Sequence, residues 1–183
     1  MRRACGTGAN REQCRINERA GSDWARFQAH VARARNADRE VTIDELRAAL
    51  DLVRGQPFAE SYGFGWAWSE GHVASMEAAI ADAAHRLAGA YLDQNEPDQA
   101  IWAAMRGLLA APADEVLYRD RMLAYDLAGN PAGIATVMLE LEHVVESIEP
   151  WDSIHPDTIA LYRRLTRSSA GSRHRSRSPR RAD

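Results

Sequence analysis

The sequence predicts an all-α fold, a tandem array of antiparallel helix hairpins with about seven helices and with disordered basic tails, and three observations support this prediction. Apolar residues recur at spacings of three and four through most of the chain, as they do along one face of a helix. No segment alternates apolar and polar residues in the way typical of a β-strand. Two stretches, "AYLDQNEPDQAI" and "AYDLAGNPAGIA", repeat one pattern at an offset of 34 residues, and a period of this size indicates stacked, similar units.

The 34-residue offset relates Tyr91 to Tyr125 and Pro97 to Pro131. It equals the period of tetratricopeptide repeats, in which each unit is a helix–turn–helix pair. We therefore expect tetratricopeptide-like hairpins whose turns lie just before the two prolines. Two such units alone would be marginally stable, so the helices before and after them are expected to cap the array.

The first unit has the small residues that a close helix crossing requires. Ala88 and Ala100 permit tight antiparallel packing, and Tyr91 fills the space beside them. Pro112 ends the unit after "GLLAA". We expect Ala88 to face Ala100 across the hairpin. The corresponding positions of the second unit carry larger residues: Met122, Ile134 and Glu146.

Two helices are predicted before the repeats. The first lies in "SDWARFQAHVARAR", where Trp24 and Phe27 begin an apolar stripe at helical spacing. The second lies in "VTIDELRAALDLVRG". There, Thr42 and Glu45 have the spacing of a capping box at the helix start, and Gly55 suits the left-handed position at the helix end.

The stretch "QPFAESYGFGWAWSEGH" follows, and we interpret it as a structured connection rich in aromatic residues. These residues could form a hot-spot cluster for a protein partner, since Trp and Tyr dominate interface energetics. Alternatively, they pack beneath the repeats as a satellite core, which we favour because a connection between amphipathic helices has to cover apolar surface. The aromatic residues of the segment are Phe58, Tyr62, Phe64, Trp66 and Trp68. Trp102 and Trp151 are also interpreted as packing residues.

The remaining helices belong to the repeats and to a final helix in "HPDTIALYRRL". Pro97 stands at a first-turn position, where its missing N–H costs nothing. Glu115 and Arg119 are four residues apart, so a solvated ion pair along their helix is expected. Alternatively, Arg119 is partly buried and positions the hairpin. The helix that begins at Pro97 is expected to turn one apolar stripe inward: Ile101, Ala104, Met105 and Leu108.

Charge is segregated along the chain. Residues 1–19 carry a net charge of +3 and residues 163–183 carry +7, whereas residues 20–162 carry −13. An acidic body repels phosphate backbones, so we expect no sequence-specific DNA binding by the folded part. The Arg- and Ser-rich tail, residues 168–183, is expected to be disordered and either simply solvated or in weak contact with nucleic acid.

Several function classes find no support in the sequence. No apolar run is long enough to span a membrane, and the N terminus lacks the apolar core of a signal peptide, so we expect a cytoplasmic protein. Cys5 and Cys14 are expected to be free, reduced thiols, because no further Cys or His pair follows at zinc-ligand spacing. Hydrolase and nucleotide-binding motifs are also missing, so we expect no enzyme activity, no metal and no cofactor.

Two runs of residues resemble one known family. They are "AL-x-L-x-RG-x-P", from Ala49 to Pro57, and "P-x-x-E-x-x-x-R-x-x-M", whose members are Pro112, Glu115, Arg119 and Met122. Together with "DWARF" and "HPDTIALYRRL", they make roughly residues 22–166 similar to the bacterial transcriptional activator domain, a helical, tetratricopeptide-like module of antibiotic-regulatory activators.

The resemblance implies a helical domain over residues 22–167 whose surfaces make protein contacts that regulate transcription. Activators of this family carry a DNA-binding domain before the module, and here some twenty residues without helical pattern, residues 1–21, precede Trp24. We therefore expect a protein partner, a regulator or part of the transcription machinery, and no promoter recognition by this chain itself. A scaffold of the same fold in an assembly unrelated to transcription is the alternative.

Overall fold

The computed structural model describes residues 22–59, 71–148 and 153–175. These residues form seven helices and no β-strand, which confirms the predicted all-α fold. The helices are α1 (Asp23–Ala34), α2 (Arg39–Asp51), α3 (His72–Asp93), α4 (Pro97–Ala110), α5 (Glu115–Leu127), α6 (Pro131–Ile148) and α7 (Pro156–Arg175). Within these ranges, none of the helices combines the length and apolar character needed to cross a bilayer. Cys5 and Cys14 lie outside the described residues.

The helices are arranged as three stacked hairpins followed by a single helix. Helix α1 packs on α2, α3 on α4 and α5 on α6, and the second helix of each hairpin also packs on the first helix of the next element. In addition, α3 contacts α5, and α5 contacts α7. We call α1, α3, α5 and α7 the first-helix layer and α2, α4 and α6 the second-helix layer. The helices predicted to cap the array thus form a further hairpin before it and a single helix after it.

The turns of the second and third hairpins have the same construction. Three residues separate the end of α3 at Asp93 from Pro97, and the amide of Glu96 donates a hydrogen bond to the carbonyl of Tyr91 at 2.9 Å. In the next hairpin, the amide of Asn130 donates to the carbonyl of Tyr125 at 2.8 Å. Each turn also has one residue in the left-handed region, Asn95 (φ 60°) and Gly129 (φ 66°), again 34 residues apart. The 34-residue period therefore extends to backbone conformation.

The predicted start and end of α2 are wrong. The helix begins at Arg39, because the Asp38 side chain accepts a hydrogen bond from the Val41 amide at 3.0 Å and so forms the N-cap. Thr42 lies inside the first turn, where its hydroxyl donates to the carbonyl of Ala34 at 3.2 Å. A carboxylate is at least as good an N-cap as a Thr hydroxyl, so the earlier residue caps the helix. Gly55 does not adopt a positive φ, since α2 already ends at Asp51.

The core has two parts of different character. Small residues fill the crossing of α3 and α4, and Ala88 and Ala100 are both fully buried in the same cluster. The crossing of α5 and α6 contains larger buried residues, including Met122 and Ile134 at the corresponding positions. A Cβ atom at Gly107 of α4 would lie 2.6 Å from the Ala84 Cβ and 2.6 Å from the Leu117 Cδ1. Glycine there allows α4 to approach both α3 and α5 closely.

Helix α7 extends beyond the predicted domain boundary at residue 167 and continues to Arg175. Its first half is anchored by the buried residues Thr158, Leu161 and Leu165. Once a helix is anchored in this way, adding residues costs little, so a polar Ser- and Arg-rich sequence can continue it.

Candidate protein-interaction surface

Most of the aromatic residues proposed as a binding cluster lie outside the described part of the chain. These are Tyr62, Phe64, Trp66 and Trp68, and Trp151 lies outside it as well. Whether they bind a partner or pack beneath the repeats therefore stays a prediction. Phe58 is described, and it is half-buried with a left-handed backbone (φ 61°) just after the buried Pro57.

Glu115 and Arg119, expected to pair with each other along α5, instead contact the start of α7. The Arg119 Nη1 donates to the hydroxyl of the buried Thr158 at 2.8 Å, and the Glu115 Oε1 accepts from the His155 amide at 2.8 Å. Arg119 is half-buried and lines, with His155, a cleft of about 280 Å³. The two side chains fasten α7 to the third hairpin, and a role of Arg119 in partner binding stays a prediction.

The residues that define the repeat lie at helix crossings and turns. Ala88, Tyr91 and Ala100 are buried. Pro97 and Pro131 are the first residues of α4 and α6. The carbonyl of Pro112, between α4 and α5, accepts a hydrogen bond from the Tyr118 hydroxyl at 3.0 Å. Tyr125 is half-buried, and its ring lies directly against the backbone of Gly133, where a Cβ would collide with it.

A stack of arginine and tryptophan side chains joins the first two hairpins in the second-helix layer. The guanidinium of Arg47, on α2, lies 4.6 Å from the centre of the Trp102 ring on α4, and the guanidinium of Arg106 lies 5.7 Å from it. Arg47 also donates to the Gln99 Oε1 at 2.7 Å and to the Tyr91 hydroxyl at 3.1 Å. The hydrogen bond with Tyr91 is the main reason why the pKa of Arg47 is raised. The partly exposed Trp102 ring therefore lies beside guanidinium groups from two helices.

Large exposed apolar side chains concentrate in the second-helix layer. The described part of the chain has five: Val41 (44% exposed), Met105 (51%), Leu109 (43%), Leu127 (42%) and Leu139 (65%). All but Leu127 belong to α2, α4 or α6. Met105 was expected in the inward stripe of α4, and this expectation is wrong, because the inward side of α4 is occupied by alanines and Gly107.

Trp102, Met105 and Leu109 follow one another along α4 at spacings of three and four, and we call these three residues the outer patch. Leu139 on α6 is the 34-residue equivalent of Met105, so the same outward position is apolar in two successive hairpins. Large contiguous patches of exposed apolar groups are typical of interaction sites, so we treat the outer patch as a candidate. Sequence reasoning missed this patch. The four-residue spacing of Trp102 and Arg106 could have indicated it, because residues four apart lie on the same face of a helix.

Two buried charges connect helices inside the array. Asp120 of α5 is 4% exposed, and its Oδ2 lies 2.7 Å from the Nδ1 of His85 on α3. Arg121 is 6% exposed, and its Nη1 lies 2.6 Å from the Oε2 of Glu140 on α6. No group of three or more His, Cys, Asp or Glu residues is placed to hold a metal ion within the ranges that the structure describes. These contacts link helices to one another.

One family matches the chain over most of this structure. The bacterial transcriptional activator domain matches residues 22–135, from the N-cap of α1 into the first turns of α6. Comparisons with curated proteins and with solved structures give no match.

Proposed function

Because this chain belongs to the bacterial transcriptional activator domain family, a regulatory family and not an enzyme family, we propose that it is a protein-interaction module of a transcriptional regulator acting in the cytoplasm. The observation that carries this proposal is the outer patch on α4. It combines an aromatic ring, Met105 and Leu109 with two flanking arginines, and aromatic residues, Met and Arg are enriched in the cores of protein interfaces.

The Arg47–Trp102–Arg106 stack supports the same proposal. A large side chain that is already fixed loses little conformational entropy when a partner covers it. The Trp102 ring contacts guanidinium groups from α2 and α4, and Arg47 also donates hydrogen bonds to Gln99 and Tyr91. We infer that the ring is preorganised for binding.

The charge distribution argues against promoter recognition by the folded body. Residues 20–162 carry a net charge of −13, and arginines among them are engaged with carboxylates of the chain itself. Arg33 donates to Glu45 at 2.9 Å, and Arg121 pairs with Glu140. Sequence-specific recognition requires basic side chains free to contact phosphates and base edges. The Arg-rich tail can contribute only contacts that are independent of DNA sequence and sensitive to salt.

The test compares partner capture by three forms of the full chain. Met105→Ser combined with Leu109→Ser removes the apolar groups of the outer patch, and Leu127→Ser is the matched control, since it removes an equally exposed leucine from the first-helix layer. Because all three residues are exposed, each substitution should change the free energy of unfolding by no more than about 0.5 kcal/mol.

We expect the wild-type chain and the Leu127 variant to capture a regulator or RNA polymerase subunit from the native cell, and the outer-patch variant to lose it. Capture that is unaffected by the outer-patch substitutions would contradict the proposed surface. A sequence-specific footprint of the purified full chain on promoter DNA at physiological salt would contradict the proposed function.

A further inference from the structure

The contact between His85 and Asp120 connects two successive hairpins through their first helices. These helices are α3 and α5, and the Nδ1 to Oδ2 distance of the contact is 2.7 Å. The Asp120 side chain is 5% exposed, whereas the His85 side chain is 51% exposed. The carboxylate is therefore cut off from water, while the imidazole can exchange its proton with the solvent.

The charged groups around this pair favour a protonated imidazole. Asp82 from α3 and Asp114 from the residue before α5 act on His85 in addition to Asp120, and all three are acidic. On the other side, Arg119 and Asp114 act on Asp120, and Arg119 is already hydrogen-bonded to Thr158 of α7. His85 is the hydrogen-bond partner of the buried carboxylate, and its imidazole supplies a positive charge to the pair when it is protonated. A buried charge left without its partner is strongly unfavourable.

We propose that His85 and Asp120 form a protonation-dependent joint, which fastens the third hairpin to the second when His85 carries its proton and loosens when the proton is lost. The inference does not depend on the proposed function. In stacked arrays, the rotation between neighbouring units sets the curvature of the whole molecule. A joint between α3 and α5 therefore controls the angle at which the third hairpin and α7 follow the second hairpin.

The direction of the pH dependence follows from the pKa shifts. The pKa of His85 is raised, mainly by its hydrogen bond with Asp120, from an unfolded value of about 6.5. A raised pKa means that the stabilisation is fully present below about pH 6.5 and is lost as the pH rises through the folded-state value. The pKa of Asp120 is also raised, because burial outweighs the effect of His85. The ionised Asp120 carboxylate is therefore less favourable in the folded protein than in water, and it is least favourable when His85 is neutral.

The experiment measures hydrogen exchange of the backbone amides of the full chain at about pH 6 and about pH 9. Each observed rate is compared with the intrinsic rate of an unfolded chain at the same pH, which gives the protection of each helix. Three variants are compared with the wild type: His85→Gln, which retains a neutral donor, Asp120→Asn, and His143→Gln. His143 is exposed on α6, so its substitution removes one imidazole away from the joint. A titration of the His85 ring by NMR accompanies the exchange measurement.

In the wild type and in the His143 variant, we expect the amides of α5, α6 and α7 to be less protected from exchange at about pH 9 than at about pH 6. The amides of α1 and α2 should be equally protected at both pH values. The fall in protection is expected to be about tenfold for each unit by which the pKa of His85 is raised. It should vanish in His85→Gln and in Asp120→Asn, and Asp120→Asn should lower the pKa of His85, because it removes the main cause of the upward shift. Equal pH dependence in the wild type and His85→Gln, or a His85 pKa that Asp120→Asn leaves unchanged, would overturn the proposal.

Discussion

Gly107 lies where α4 packs tightly against both α3 and α5, so adding one methyl group there tests the packing of the array. In Gly107→Ala, the new Cβ would lie 2.6 Å from the Ala84 Cβ and 2.6 Å from the Leu117 Cδ1. The Ala84 methyl is attached directly to the α3 backbone and cannot rotate away. Leu117 is fully buried, so its side chain has little free space. The helices themselves would have to move apart.

Two effects of opposite sign determine the size of the change. Overpacking a close-packed interior costs about 1–3 kcal/mol, and a clash with a rigid methyl group belongs at the upper end of that range. Alanine is better than glycine in the interior of a helix by about 1 kcal/mol. The net expectation for Gly107→Ala is a loss of about 2 kcal/mol in the free energy of unfolding.

Gly89→Ala is the matched control, because Gly89 also lies inside a helix but has no atom within 4 Å of the position of a new Cβ. It should stabilise the protein by roughly 0.5–1 kcal/mol. Guanidinium denaturation followed by helical circular dichroism gives both free energies, together with the slopes that report compactness. Combining Ala84→Gly with Gly107→Ala removes one of the two clashing groups, so the two substitutions should be coupled favourably.

The result that would refute this reasoning is a Gly107→Ala variant stabilised as much as Gly89→Ala. Such a result would mean that α4 does not approach α3 and α5 as closely as the structure shows.

Two further predictions concern the crossing of the second hairpin and the attachment of α7. Ala100→Leu should lower the free energy of unfolding by about 1–3 kcal/mol, since Ala100 is fully buried in the cluster that contains Ala88. A thermal midpoint equal to that of the wild type would show that the helices do not cross closely there. Thr158→Val should cost about 1–3 kcal/mol and reduce hydrogen-exchange protection in α7, because it leaves Arg119 without its acceptor. Unchanged protection would show that this hydrogen bond does not hold α7 in place.

The sequence by itself determined the all-α fold, the helix hairpins of the repeat and the position of the repeat. The recurrence of Tyr91 and Pro97 at Tyr125 and Pro131 was enough to place two turns, and the structure shows that even their backbone hydrogen bonds repeat. These features depend on local spacing: apolar periodicity forms a helix face, and a proline starts a helix wherever its missing N–H costs nothing.

Only the tertiary structure decided which side chains meet across helices. A spacing of four residues made Glu115 and Arg119 an apparent pair, but the start of α7 lies close enough to take both as partners. His85 and Asp120 are 35 residues apart, and only the packing of α3 on α5 brings them together.

The outer patch is a second feature that the sequence alone did not predict. The apolar character of Met105 suggested an inward position, but Gly107 and the alanines of α4 already fill the narrow space between α3 and α5, so the larger side chain faces outward. A sequence shows which residues share a helix face, and the distance between packed helices decides which of those faces is buried.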